Sequence, residues 1–289
     1  MEGIIAAAPT PVDLTGVPQK NDFLEHCDWA LNNGCDGLNI LGSTGEANSF
    51  DIATRKKIMK WSAENLPKER LMVGTATPSL SETIFLTRYA DDLGYNIALV
   101  LPPYYYKPVN ETGLVKWFSD LHKNLDTKKI SIYFYNFPQM TGITIPVNVI
   151  KSLVEIYPKR FKGIKDSSGD LKYCASLVSA STNLMVFPSS ETTLQNAVSS
   201  GFAGCISATV NITAELCGRL WKDRKNPNTE IIKEISHVRG AITGPNLIPG
   251  VKHLIGKRCK NNIWENVLPP FVPLSDTEAD FLEKTIQIR

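Results

Sequence analysis

Short apolar and β-branched runs alternate along this chain with longer stretches in which apolar residues return every three or four positions. The short runs fall at residues 3–8, 37–41, 71–74, 97–101, 131–135, 161–165, 184–187 and 203–207, eight in all. Each has the length and composition of a buried strand. Between them, residues 21–32, 52–65, 81–93, 112–124, 147–156 and 191–199 carry the helical period. Gly34, Gly94 and Gly201 each follow such a stretch, where a left-handed helix stop favours glycine. Strand and helix in strict alternation predict βαβ units and a parallel sheet. The phrases NNGCDGLNILG, DDLGYNIALVLPP and SSGFAGCISATV repeat this unit weakly. Eight units favour closure, so the expected fold is α/β, a (β/α)8 TIM barrel.

After residue 223 the strand pattern stops. NPNTEIIKEISHVRGAI, PGVKHLIGK and SDTEADFLEKTIQI read as helices, the last opened by Ser275 with Glu278 three positions on, a capping box. Residues 1–223 are therefore expected to form the barrel, and residues 224–289 a C-terminal helical extension packed on it as one structural unit.

Composition narrows the class. A chain with 43% hydrophobic and 21% charged residues and a formal charge of +2 has the profile of a soluble globular protein, with no concentrated basic surface for nucleic acid. No apolar run approaches the roughly 20 residues needed to span a bilayer. The apolar stretch at residues 3–8 lacks the basic flank and length of a secretion signal and reads as the first strand. Cysteines 27, 35, 174, 205, 217 and 259 form no C-x-x-C pair and no metal-ligand spacing with the four histidines. Small buried thiols, no metal and a cytoplasmic setting are expected.

Catalytic groups in such a barrel sit at the C-terminal ends of the strands. Lys165 ends the sixth strand in RFKGIKDSSGD. Desolvation at a barrel mouth disfavours a charged amine and frees it to attack carbonyls, although a strand-end lysine by itself can equally reach solvent. Tyr135, at the end of the fifth strand in YFYNFP, is one strand away and offers a phenol to relay protons, or simply packs in the core. In LGSTGEAN, the backbone N–H groups of Ser43 and Thr44 are placed to converge on an anion of carboxylate size, unless the loop is an ordinary hydroxyl-capped turn. LPPYYYKP puts three tyrosines on one stiffened loop, and some of them should meet another surface.

Taken in order, G-S-T-G-E at 42–46, P-Y-Y at 103–105, Y-N-F-P-x-x-T-G at 135–142 and G-I-K-D at 163–166 resemble the family of dihydrodipicolinate synthase and N-acetylneuraminate lyase. The spacing matches over nearly the whole chain, to L-P-P-F-V-P-L-S near its end. The resemblance implies a barrel that forms a homotetramer built from tight dimers, with no metal or organic cofactor. It implies a Schiff base on Lys165, a phenolic proton relay on Tyr135, Tyr105 and Thr44 as further catalytic residues, and the pyruvate carboxylate on Ser43 and Thr44. It also implies that Tyr105 crosses into a neighbouring subunit's site and that Ile206 lies beside bound pyruvate.

Two departures bear on the substrate. The synthase branch reads Y-N-x-P-S-R-T-G, its arginine holding the carboxylate of the aldehyde, whereas this chain has Met140 at the arginine position. A thioether cannot pair with a carboxylate. After the seventh strand stands FPSSETT, whose Ser189, Ser190 and Glu191, with Ser167 and Ser207, suit a polyhydroxylated tail. The expected partners are a small-molecule 2-oxo acid and an aldehyde, the phrases KDSSGD and YNFPxxTG being most similar to the 2-keto-3-deoxy sugar-acid aldolases. Dihydrodipicolinate synthesis, N-acetylneuraminate cleavage and sugar-acid dehydration are the alternatives on the same imine. A sugar-acid sensor or scaffold is the alternative outside catalysis.

Overall fold

The computed structural model describes residues 1–243 and 246–286. Among the described residues there are eight strands: β1 (Gly3–Ala7), β2 (Gly37–Ile40), β3 (Leu71–Gly74), β4 (Ile97–Val100), β5 (Ser131–Asn136), β6 (Phe161–Asp166), β7 (Met185–Pro188) and β8 (Gly204–Ser207). They form one parallel sheet in the order β7-β6-β5-β4-β3-β2-β1-β8. The N–H of Ala203 donates to the carbonyl of Val186 at 2.9 Å across the remaining seam between β7 and β8, so the sheet is nearly closed into a (β/α)8 TIM barrel. All eight expected strands appear, with ends displaced by about one residue, as boundary assignments commonly are.

The helices are α1 (Lys20–Asn32), α2 (Ile52–Asn65), α3 (Leu80–Leu93), α4 (Glu111–Leu125), α5 (Pro138–Thr141), α6 (Val147–Ile156), α7 (Leu171–Ala180), α8 (Ala197–Ser200), α9 (Val210–Lys222), α10 (Thr229–Ile242), α11 (Leu247–Cys259) and α12 (Asp276–Thr285). The helix expected at 191–199 is instead a 3-10 turn, Glu191–Asn196, followed by the single turn of α8. α7 and α9 fall outside the stretches in which the sequence predicts helix. α12 opens with the expected capping box of Ser275 and Glu278. The expected continuation of that helix to Gln287 and Ile288 lies outside the described residues.

Two hydrophobic clusters organise the molecule. The larger joins barrel interior and helical ring; the smaller gathers Val238, Val251, Leu254, Trp264 and Leu282 from α10, α11 and α12 and their connections. Cys27, Cys35, Cys174, Cys205 and Cys217 are free and buried. The extension is also tied to the barrel by polar groups. Lys252 of α11 and Glu46 of the loop after β2 form a fully buried ion pair at 2.7 Å, and Glu46 also accepts from the N–H of Leu268 at 2.6 Å. Among the described residues, no helix is long and apolar enough to cross a membrane.

Candidate active site

Strand register builds the centre of the site. Tyr135 pairs with Lys165 and Asn136 with Asp166 across β5 and β6. Successive side chains alternate across a sheet, so the first pair faces the barrel interior and the second its outer side. Gly163 makes room two residues below the lysine, since a β carbon there would lie 2.6 Å from the ring of Tyr133. Outside the barrel, Asn136 Nδ2 donates to Asp166 Oδ1 at 2.7 Å, while Asn136 Oδ1 accepts from the N–H of Ile145 at 2.9 Å. Asp166 Oδ2 accepts from Ser168 Oγ at 2.7 Å. These bonds lock the two strand ends at the level where Tyr135 and Lys165 meet.

Lys165 is 4% exposed and Tyr135 3%. The Lys165 amine donates to Tyr135 Oη at 3.2 Å and lies 4.4 Å from the ring centre. On its other side Lys165 is paired in register with Phe187 of β7. The ion pairs with a wholly buried carboxylate, Glu46–Lys252 and Glu191–Arg239, do not include it.

The third group on the phenol corrects an expectation. Ser43 Oγ lies 3.3 Å from Tyr135 Oη, making a chain of serine, tyrosine and lysine. The hydroxyl that meets the phenol is therefore that of Ser43, whereas Thr44 is the one expected among the catalytic residues. Thr44 is buried in the same turn, with no side-chain hydrogen bond to Tyr135. The turn is closed by Gly45 and Ala47 N–H donating to the Gly42 carbonyl and by Glu46 N–H donating to that of Ser43. Among the described residues this leaves the N–H groups of Ser43 and Thr44 without acceptors, as an anion cradle requires. Leu41 and Glu46, both at φ 55, bracket the turn in the left-handed region that branched and bulky residues disfavour. Gly74 permits this path, because a β carbon there would lie 2.0 Å from the carbonyl oxygen of Leu41. Neither feature has a signal in the local sequence.

A cavity of about 210 Å³ opens beside Ser43, bounded by Tyr104, Met140, Thr141, Ile248 and Phe271. Met140, 63% exposed, stands in its wall. A void of about 20 Å³ continues past Ser43 and Tyr135 to Arg55. Arg55 is buried, donating to the carbonyls of Gly74 and Ala76, and burial lowers its pKa to about 10.

The remaining expected residues divide. Ile206 is wholly buried on β8, and Ser167, Ser189 and Ser190 are half-buried just beyond the ends of β6 and β7. Ser190 Oγ is 2.7 Å from Thr192 Oγ1. Glu191 and Ser207 do not present free groups to a ligand. Glu191 is wholly buried, its carboxylate accepting from Ser207 at 2.7 Å, from Thr209 and Thr213, and from Arg239 of α10 at 2.9 Å. A buried carboxylate needs such compensation, so this pair serves the seam between β7, β8 and α10. Tyr105 is 71% exposed and packs edge-on against Tyr106, 81% exposed, outside the Ser43, Tyr135 and Lys165 cluster of its own chain.

A buried amine hydrogen-bonded to a phenol inside a parallel barrel, with the phenol in contact with a turn that carries unpaired backbone donors, makes up a site of the carbonyl-binding aldolase class. The chain belongs to the dihydrodipicolinate synthetase family, whose model matches residues 1–289. Members of this family are carbon–carbon lyases that form a Schiff base with pyruvate. A DapA-like lyase of Chloroflexus aurantiacus is 29% identical over 96% of this chain and 93% of its own. The dihydrodipicolinate synthase of Agrobacterium tumefaciens superposes with a TM-score of 0.90 at 26% identity, covering 99% of this chain and 98% of that one. A 2-keto-3-deoxygluconate aldolase variant from Sulfolobus solfataricus shares the fold, with a TM-score of 0.86 at 21% identity over 98% and 94%.

Proposed function

We propose that this protein is an aldolase that joins or separates pyruvate and an aldehyde through an imine on Lys165, and that its substrate is a 2-keto-3-deoxy sugar acid. The observation that carries the chemistry is the chain from Ser43 through Tyr135 to the buried Lys165 amine. In this reading the neutral amine adds to C2 of the 2-oxo acid. Tyr135 returns a proton to the carbinolamine hydroxyl, which leaves as water and yields the iminium. The iminium takes up the electron pair of the C3–C4 bond as the C4 hydroxyl gives up its proton. An aldehyde departs and the enamine of pyruvate remains. Protonation at C3 and hydrolysis release pyruvate and restore the amine. The iminium is itself the electron sink, so the scheme calls for no further cofactor.

Met140 supports the sugar-acid assignment. It lines the cavity beside Ser43, at the position where the synthase motif has arginine. A thioether there leaves a carboxylate-bearing aldehyde without its charge partner, whereas Ser167, Ser189 and Ser190, half-buried just beyond the ends of β6 and β7, offer hydroxyls to a polyol. In this reading the enzyme is a cytoplasmic homotetramer, a dimer of tight dimers.

Borohydride reduction in the presence of pyruvate, followed by peptide mapping, tests the chemistry. The expected result is a reduced pyruvate adduct on Lys165 in the wild type and none in Lys165→Ala; an unmodified wild-type Lys165 overturns the reading. A panel of 2-keto-3-deoxy sugar acids, N-acetylneuraminate and aspartate semialdehyde tests the substrate. Preference for the semialdehyde would remove the argument from Met140.

A further inference from the structure

Asn39 is wholly buried on β2, and neither atom of its carboxamide has a hydrogen-bond partner among the described residues. A buried amide with all its capacity unused is costly unless a ligand or another polar group completes it. Register gives its direction. Tyr135 and Lys165 share a level and face inward, as does Tyr133 two residues earlier. Tyr133 pairs with Leu99, Leu99 with Gly74, and Met72, two before Gly74, with Asn39. Asn39 therefore faces the same interior as the amine and the phenol. Its strand neighbour on the other side is Ala7, and Gly74 is a further inward position without bulk.

The carboxamide lies directly beneath the anion-cradle turn. A β carbon on Gly42 would come within 2.4 Å of Asn39 Nδ2, so the glycine is what admits the amide there. The next two residues supply the unpaired N–H groups of Ser43 and Thr44. We infer that Asn39 is a substrate-binding residue, its Nδ2 adding a side-chain donor to the carboxylate of the bound 2-oxo acid alongside the two backbone donors. The inference rests on the imine reading above, because it takes the ligand of this pocket to be a 2-oxo acid. It also accounts for an asparagine where barrel packing alone calls for an apolar residue: bound substrate supplies a partner that the surrounding described residues do not.

The test is a pyruvate titration of wild type, Asn39→Leu and Asn39→Asp, read as reduced adduct by intact mass, with a thermal melt of each. Asn39→Leu removes the donor at similar volume. It is expected to melt at or above the wild-type temperature, to need about tenfold more pyruvate for half-maximal trapping, as loss of a charge-assisted bond implies, and to reach the same adduct yield at saturation. Asn39→Asp sets one carboxylate against another and is expected to raise the half-saturating concentration further. If Asn39→Leu does not fold, Asn39→Val removes the donor with a smaller side chain. Wild-type half-saturation in a folded Leu or Val variant overturns the assignment while leaving the Lys165 reading intact. Absence of any adduct in the wild type removes the imine reading and this inference with it.

Discussion

Ser43 Oγ touches the phenol of Tyr135, and Thr44, one residue on, does not. Neighbouring residues in a tight turn point in different directions, so a one-residue difference decides which hydroxyl can pass a proton. Tyr135→Phe is expected to slow imine formation by about 10²-fold or more, the usual contribution of a positioned proton relay. Ser43→Ala should give a smaller but clear loss. Thr44→Val, which keeps the backbone donor, should change the rate by less than about threefold. Stopped-flow trapping with pyruvate measures all three, and a larger loss in Thr44→Val than in Ser43→Ala would assign the relay to Thr44. Lys165 and Tyr135 were legible in the sequence because each ends a strand in a recognisable motif. The contact of Ser43 with the phenol and the placement of Asn39 beneath Gly42 were not, because both depend on the path of the turn. Glu191 misled for the same reason: a carboxylate after a strand end looks available until Ser207, Thr209 and Arg239 surround it.

At the scale of elements, one buried histidine joins three helices. His26 of α1 donates from Nε2 to Asn211 of α9 at 2.8 Å and accepts at Nδ1 from Arg258 of α11 at 2.8 Å. Asn211 in turn donates to the carbonyls of Ala7 and Ala208. Arg258 lies 3.3 Å from the ring centre of Trp29. Burial, and then the nearby Arg258 charge, lower the His26 pKa from 6.5 to about 3. Between those values the unfolded chain binds a proton that the folded chain refuses. Stability is therefore lost as pH falls below about 6.5, at up to about 1.4 kcal/mol per pH unit from this group, until about pH 3. Urea unfolding from pH 7 to pH 5 should show this slope, and His26→Gln should flatten it. An unchanged slope would show that His26 does not titrate as its surroundings dictate. Helix periodicity located α1 and, within the extension, α10 and α11. The packing that brings residues 26, 211 and 258 together has no trace in any local pattern.

For the whole molecule, the exposed pair Tyr105 and Tyr106 marks a surface that water suits poorly. If Tyr105 completes a neighbouring subunit's site, Tyr105→Phe and Lys165→Ala are each nearly inactive alone yet complement one another. A mixed dimer then contains one site with the wild-type residue at both positions. Co-refolding equal amounts should restore about a quarter of wild-type aldol turnover if subunits pair at random and the relay is lost in every other site; no recovery in verified mixed dimers would confine each site to its own chain. By itself the sequence determined the eight strands, their alternation with helices and the barrel, and it pointed to the lysine and tyrosine of the candidate site. Those properties follow from local periodicity and from short motifs at strand ends, both written in consecutive residues. Only the tertiary structure decided which hydroxyl meets the phenol, that Glu191 is consumed by Arg239, that Lys252 reaches Glu46, and that Asn39 has no partner among the described residues beneath Gly42. The physical reason is that hydrogen bonds and ion pairs join residues more than two hundred positions apart, at ångström distances set by strand register and turn path.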